Sequence, residues 1–224
     1  MTNINTLTLQ VADVEAAKSF YDEAFGIGDR LRFEQATPPT SGFRGFVISL
    51  VVADPAVVDS FIEPAIAAGA RVVKPAKKSF WGYGGVLQAP DGTLWKIAAS
   101  SKKPTGAPLR VVDSLVLLLG TSDITASKAF YVDHGLTVAK SYGRKYVEFE
   151  AADGAVTLAL YGRKAAAKDA GVPPEGSGSH RLVVGSDADA FVDPDSFAWS
   201  PASLTSDQPL SAQPRRADAG GATA

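Results

Sequence analysis

The sequence predicts an α+β protein built of tandem βαβββ units, and three observations predict it. A phrase occurs twice: Asp13, Ala16, Lys18, Phe20 and Tyr21 return as Asp123, Ala126, Lys128, Phe130 and Tyr131, shifted by 110 residues (123 − 13). A second phrase, Pro90, Asp91 and Trp95, returns as Pro194, Asp195 and Trp199, shifted by 104 (194 − 90). Ordered markers with so long a period indicate duplicated domains rather than solenoid repeats. Finally, hydrophobic periodicity switches between two and 3.6 in the order strand, helix, strand, strand, strand, and that unit is complete twice.

The elements follow in order. Leu7, Leu9 and Val11 alternate with Thr6, Thr8 and Gln10, as in a half-buried strand. Asp13 then caps a helix in which Ala17, Phe20 and Ala24 share a face, and Gly26 stops it. Arg32 to Gln35 is a short strand, and Thr37 to Gly42 a loop. Phe46 to Val52 reads as a strand; Asp54-Pro55 opens a helix that runs to Ala68 and closes at Gly69. Arg71 to Lys74 is a strand, and Tyr83 to Gln88 with Thr93 to Ala98 forms a hairpin around Pro90-Asp91-Gly92.

Ser100 to Pro108 is Pro- and Lys-bearing and reads as a linker. Beyond it come a strand at Val111 to Leu119, a helix from Ser122 to His134, and strands at Leu136 to Tyr142, Lys145 to Phe149 and Val156 to Tyr161. Lys164 to Asp169 is a short helix, Gly171 to Ser179 a loop, and His180 to Val184 and Phe197 to Trp199 are strands. The complete units span 46–98 and 111–161, while the outer units are clipped. The predicted organisation is a first domain over 1–100, a linker over 101–110, a second domain over 111–202 and a disordered tail over 203–224. Reciprocal clipping is compatible with complementation inside a monomer or with a homodimer.

Composition excludes several classes. The chain has 224 residues, 46% of them hydrophobic, and a net charge of −2, so it carries no basic footprint for nucleic acid. No apolar run is long enough to span a membrane, and the start from Met1 to Asn5 lacks the basic head of a secretion signal. Zero cysteines exclude disulfides and thiolate chemistry and fit a reducing cytoplasm. Only His134 and His180 exist, so a His-rich metal site is excluded.

Leu9-Gln10-Val11-Ala12-Asp13 with Phe20-Tyr21, Phe80-Trp81-Gly82-Tyr83-Gly84-Gly85, Pro90-Asp91-Gly92-Thr93-Leu94-Trp95, and Leu158-Ala159-Leu160-Tyr161 with Lys168-Asp169-Ala170-Gly171 together resemble the vicinal oxygen chelate superfamily. That superfamily includes glyoxalase, bleomycin-resistance and extradiol-dioxygenase proteins, and the likeness covers most of 5–202. It implies paired βαβββ modules curled into cups, with a divalent metal on the cup floor held by His, Gln or Glu. Counting seven residues back from each helix-capping Asp places Thr6, Val47, Val116 and His180 where strand ligands would stand. Lys96 and Ser200 take the place of the closing-strand carboxylate. A divalent ion needs about three good protein donors, so the resemblance implies degenerate centres, with no metal and no cofactor.

The remaining candidates are ligand-binding residues. Tyr146, Glu148 and Glu150 share one strand face and Val147 and Phe149 the other. The apolar pair would meet a helix, leaving Tyr146 and Glu148 aimed into the cup near His180 and Tyr161; the alternative is that the glutamates are solvated surface groups. Phe80, Trp81 and Tyr83, with Lys74, Lys77 and Lys78 before them, form an aromatic and cationic lip for a flat, partly anionic ligand. The resemblance therefore implies metal-independent binding of a small, flat, partly apolar molecule, as drug-sequestering members do. Two alternatives stand beside it. One is a lyase, isomerase or dioxygenase using a non-standard site around His180 and Glu148; the other is a protein whose cups have closed and which acts through a partner surface.

Overall fold

The structure, a computed structural model, describes residues 1–80, 82–104 and 109–202. Trp81 and the tail expected from Ser203 onward lie outside the described residues. Chain order is β1 (Ile4–Val11), α1 (Val14–Ala24), β2 (Leu31–Gln35), β3 (Thr40–Gly42), β4 (Phe46–Val51), α2 (Pro55–Ala67), β5 (Arg71–Ser79), β6 (Gly82–Gln88) and β7 (Leu94–Ala99). There follow β8 (Ser114–Thr121), α3 (Ile124–Asp133), β9 (Val138–Ser141), β10 (Tyr146–Phe149), β11 (Val156–Gly162) and α4 (Arg163–Ala170). The chain finishes with β12 (Gly176–Gly178), β13 (Leu182–Ser186), β14 (Phe191–Val192) and β15 (Ala198–Pro201).

All strands except β3 and β12 belong to one sheet. The complete units are visible in its order. The first runs β4-β7-β6-β5, the second β8-β11-β10-β9, and β4 and β8 join them antiparallel from Phe46↔Leu119 to Val51↔Ser114. The clipped units pair in the same way, β1 with β13 antiparallel, β2 alongside β1, and β15 alongside β13.

Each long helix starts on the aspartate that the sequence marks. Asp13, Asp54 and Asp123 accept from backbone N–H groups of their first turns, at 3.0, 2.9 and 2.8 Å. These otherwise orphaned donors are thereby satisfied. The helices bury one face of the sheet: Phe20, Tyr21, Phe61, Tyr131, Trp95 and Trp199 belong to a single core cluster with Leu7, Ile48, Leu117 and Leu158.

The repeated phrases turn out to be a lock inside that core. Tyr21 donates to Asp91 at 2.9 Å, the Trp95 indole donates to the Tyr21 oxygen at 3.3 Å, and Thr93 donates to Asp91 at 2.6 Å. In the second copy Tyr131 donates to Asp193 rather than to the repeat's Asp195. Asp195 instead accepts from the Ser122 N–H at 2.7 Å and from the Ser127 hydroxyl at 3.1 Å, across the start of α3.

Two expected loops also pair with each other. β3 and β12 form a small antiparallel ribbon, Thr40↔Gly178 to Gly42↔Gly176. A Cβ at Gly42 would stand 2.3 Å from the Glu175 carbonyl oxygen, so only glycine admits this approach. The ribbon leaves His180 in the connection before β13, two residues short of the strand on which the spacing places it.

Candidate functional site

The sheet face opposite α1, α2 and α3 is the one that would line a cup. Strand register sets its floor. Val47 and Ser49 of β4 face Leu118 and Val116 of β8, Lys96 of β7 lies beside Ser49, and Ala159 of β11 lies beside Leu118. Val47, Leu118 and Ala159 are buried, yet no strand covers them.

The cover is α4. Its sequence, RKAAAKDA, is rich in the residue that loses least on becoming helical. Ala166, Ala167 and Ala170 are buried in one cluster with Val47, Leu94, Leu118 and Ala159, and such small side chains let the helix lie close on the sheet. Gly171 ends it in a left-handed conformation, φ 82°, its N–H donating to the Ala167 carbonyl at 2.8 Å.

Polar contacts pin both ends. Arg163 donates to the carbonyls of Phe43 at 2.5 Å and Pro174 at 3.0 Å. At the other end Lys74 donates to the carbonyls of Lys168 and Asp169, at 2.8 and 2.6 Å, where a cation meets the negative end of the helix dipole. Lys96 forms a salt bridge of 2.6 Å with Asp169.

This geometry does not fit a divalent ion on the floor. Val47 and Val116 offer hydrocarbon, and Lys96 offers an ammonium engaged by the carboxylate of the covering helix. In the clipped pair, Thr6 lies in register with Gly185 and Gly185 with Ser200, two neutral hydroxyls with a glycine between them and no carboxylate. The His180 ring is spent: Nδ1 faces the Arg44 carbonyl, Nε2 lies 3.0 Å from the Asp195 carbonyl, and Phe197 stacks on it at 3.7 Å. Among the described residues no three His, Cys, Asp or Glu side chains are grouped to hold a metal.

Tyr146, Glu148 and Tyr161 come together beside α4. Tyr146 donates to Glu148 at 2.5 Å, and the Tyr146 and Tyr161 rings lie 5.1 Å apart. Val147 and Phe149 are buried on the helix side, as alternation requires. Burial would raise the Glu148 carboxyl, but hydrogen bonds from Lys140 and Tyr146, with the Lys140 charge, outweigh it and hold the group below its ordinary value. Burial first, and then the bond to Glu148, push the Tyr146 phenol far above its usual range. Burial raises Tyr161 as well, and the Asp169 charge adds to it.

The other predicted residues lie apart. His180 has its partners in Arg44, Asp195 and Phe197 and makes no hydrogen bond with Glu148, which Lys140 and Tyr146 occupy. The expected His180–Glu148 site is therefore not assembled; the β3–β12 ribbon holds the histidine elsewhere. Phe80 is 82% exposed on the turn after β5. Tyr83 sends its hydroxyl to Asp59 of α2 at 2.8 Å, so its ring belongs to the helix side of the sheet rather than to a lip. Glu150 lies past the end of β10 and is exposed.

Two of the hollows beside α4 bear on these residues. One, of 700 Å³, is lined by Tyr142, Tyr146 and Tyr161 with Lys168 and Lys74. The other, of 350 Å³, runs along β6 and β7 past Lys77 and Lys96. Lys74 and Asp169 line both. Sequence reasoning missed the covering role of α4. The available signal was that so short an alanine helix cannot persist unsupported and that Lys96, replacing a carboxylate on an apolar floor, needs a counter-charge.

No family model matches the chain, and no curated protein does. Solved structures do. Glyoxalase I from Zea mays superposes with a TM-score of 0.57 at 14% identity, over 89% of this chain and 91% of that one. A putative dioxygenase from Bacillus subtilis gives 0.53 at 12% identity, over 81% and 69%. With the paired βαβββ units, the register of β4 on β8 and these superpositions together, the chain has the fold of the vicinal oxygen chelate superfamily.

Proposed function

We propose that this protein binds a small, flat, partly apolar molecule without a metal ion, in the groove that Tyr146 and Tyr161 line beside α4. The observation carrying this reading is the Lys96–Asp169 bridge: where a chelating enzyme of this fold would present a carboxylate to a cation, this chain presents a cation to its own helix. Supporting it, the groove sets the rings of Tyr142, Tyr146 and Tyr161 beside polar anchors on Arg144, Lys145 and Lys168, aromatic surface and orienting groups together as a small-molecule site needs. Tyr146 and Glu148 are held in one geometry by their mutual bond and by Lys140, which spares a ligand the entropy of ordering them. The resistance-type, sequestering role is thus preferred over a glyoxalase- or dioxygenase-type reaction.

The test is native mass spectrometry with metal analysis on protein taken directly from cells. A bound organic molecule, lost when Tyr161→Ala is introduced, is the expected result. One tightly held divalent ion per chain, or chelator-sensitive turnover of an α-dicarbonyl thioether or a catechol, would overturn the proposal.

A further inference from the structure

The hollow beside α4 is unbalanced in charge. Lys74, Arg144, Lys145 and Lys168 line it, and its single carboxylate is Asp169. That carboxylate is already engaged by Lys96 at 2.6 Å. Among the described residues Arg144, Lys145 and Lys168 form no salt bridge, and Glu148, which bonds Tyr146 of the lining, is paired with Lys140 at 2.7 Å. The chain as a whole carries −2, so this local excess of positive charge runs against the balance of the molecule.

The same hollow holds three of the six tyrosines in the chain. Tyr142 and Tyr146 stack at 6.1 Å and 27°, and Tyr146 meets Tyr161 at 5.1 Å. Tyr142 is 64% exposed, presenting a bare ring face beside the cations of the β9–β10 turn. An aromatic face offers area to a planar ligand, and the arginine and lysines offer an anion charge-assisted hydrogen bonds.

Resting on the binding role proposed above, we infer that the ligand is an aromatic anion, an aryl carboxylate or aryl phosphate. Its ring lies on Tyr142 and Tyr161, and its charged group is held by Arg144, Lys145 and Lys168. A neutral apolar ligand would leave these cations unused. A non-aromatic anion would leave the tyrosine faces unused. Field focusing by the cationic rim also raises the rate at which such an anion arrives.

Isothermal titration of the full chain with 1-naphthyl phosphate, 1-naphthalenemethanol and inorganic phosphate separates these contributions. Naphthyl phosphate should bind at least about tenfold more tightly than either control, and the gap should shrink as salt screens the rim. The double variant Arg144→Gln, Lys145→Gln should weaken naphthyl phosphate by about tenfold and leave naphthalenemethanol unchanged. Lys168→Gln, an exposed change on the outer face of α4, should act in the same direction. If naphthalenemethanol binds as tightly as the phosphate and the double variant changes nothing, the anion inference fails while apolar binding stands. If inorganic phosphate matches the aryl phosphate, the aromatic part fails. Should neither naphthyl compound bind, the inference and the binding role beneath it fall together.

Discussion

A buried tyrosine that donates to a buried carboxylate has two groups to lose if either is removed. Tyr131 is fully buried, and its bond to Asp193 is that carboxylate's tie to α3. Burial raises the Asp193 carboxyl, and the bond from Tyr131 only partly offsets this. Replacing Tyr131 by Phe leaves the Asp193 Oδ2 without its donor while Oδ1 keeps the N–H groups of Asp195 and Phe197, so thermal unfolding should show a loss of about 1–3 kcal/mol, the usual cost of an orphaned buried polar atom. Tyr21→Phe should cost a comparable amount: Asp91 keeps its bonds from Thr93, but the buried Trp95 indole N–H loses its acceptor.

The tyrosines also give a pH prediction. Burial raises the phenols of Tyr21, Tyr131, Tyr146, Tyr161 and Tyr83, five of the six in the chain. A raised phenol holds its proton in the folded state where the unfolded chain releases it. Stability from these groups is therefore complete below the ordinary tyrosine range, about pH 10, and falls as pH rises above it. Alkaline titration followed by tyrosine absorbance should show most phenols ionising together with loss of near-ultraviolet circular dichroism. Glu148, held low, acts at the other end: its contribution is present above the usual glutamate range and is lost as acid protonates it, so Glu148→Gln should narrow the stability gap from wild type as pH falls. The duplicated phrase was legible as a repeat but not as a lock, since sequence spacing pairs Asp195 with Asp91, whereas the fold draws Asp193 to Tyr131 and uses Asp195 at the start of α3.

At the scale of elements, α4 decides what the first cup can hold. The helix itself was legible, because alanine runs and a following glycine declare it. Its berth was not: eight residues with three buried alanines carry no instruction about which surface they meet. The berth depends on Lys74 of β5, Lys96 of β7 and the Phe43 carbonyl that the helix's own Arg163 reaches, three separate segments. The same separation explains His180, whose position is set by the pairing of two distant loops. Gly171→Ala tests the berth. Its φ of 82° strains any L side chain, and a Cβ would meet the Lys74 side chain at 2.7 Å. The cost of about 1 kcal/mol for the left-handed conformation, added to a displaced lysine, should appear in hydrogen exchange as faster opening of α4, with the protection of β4 and β8 retained. Lys96→Met should act in the same direction but weakly. Asp169 is 37% exposed in its side chain, and pairs so open to water contribute well under about 1 kcal/mol.

For the whole molecule, the sheet argues against treating the halves as separable, although the sequence predicts a domain on each side of a linker. β4 lends its full length to β8, and β1 pairs with β13 from Ile4 to Leu9, so each half supplies an edge that the other covers. The strands at these seams are apolar: FVISLV in β4 and SLVLLLGT in β8. An isolated half would expose two long unpaired strands of this kind, the surface most prone to intermolecular pairing. Lys102, Lys103 and Leu109, between β7 and β8, are exposed and lie outside both seams. Cutting the chain there should therefore leave one particle. A nicked protein, made by inserting a protease site after Lys103, should elute at the volume of the intact chain and keep its circular dichroism, while either half expressed alone should aggregate. Two stable, monomeric halves with native-like spectra would show that the seams β4–β8 and β1–β13 are not what holds the fold together.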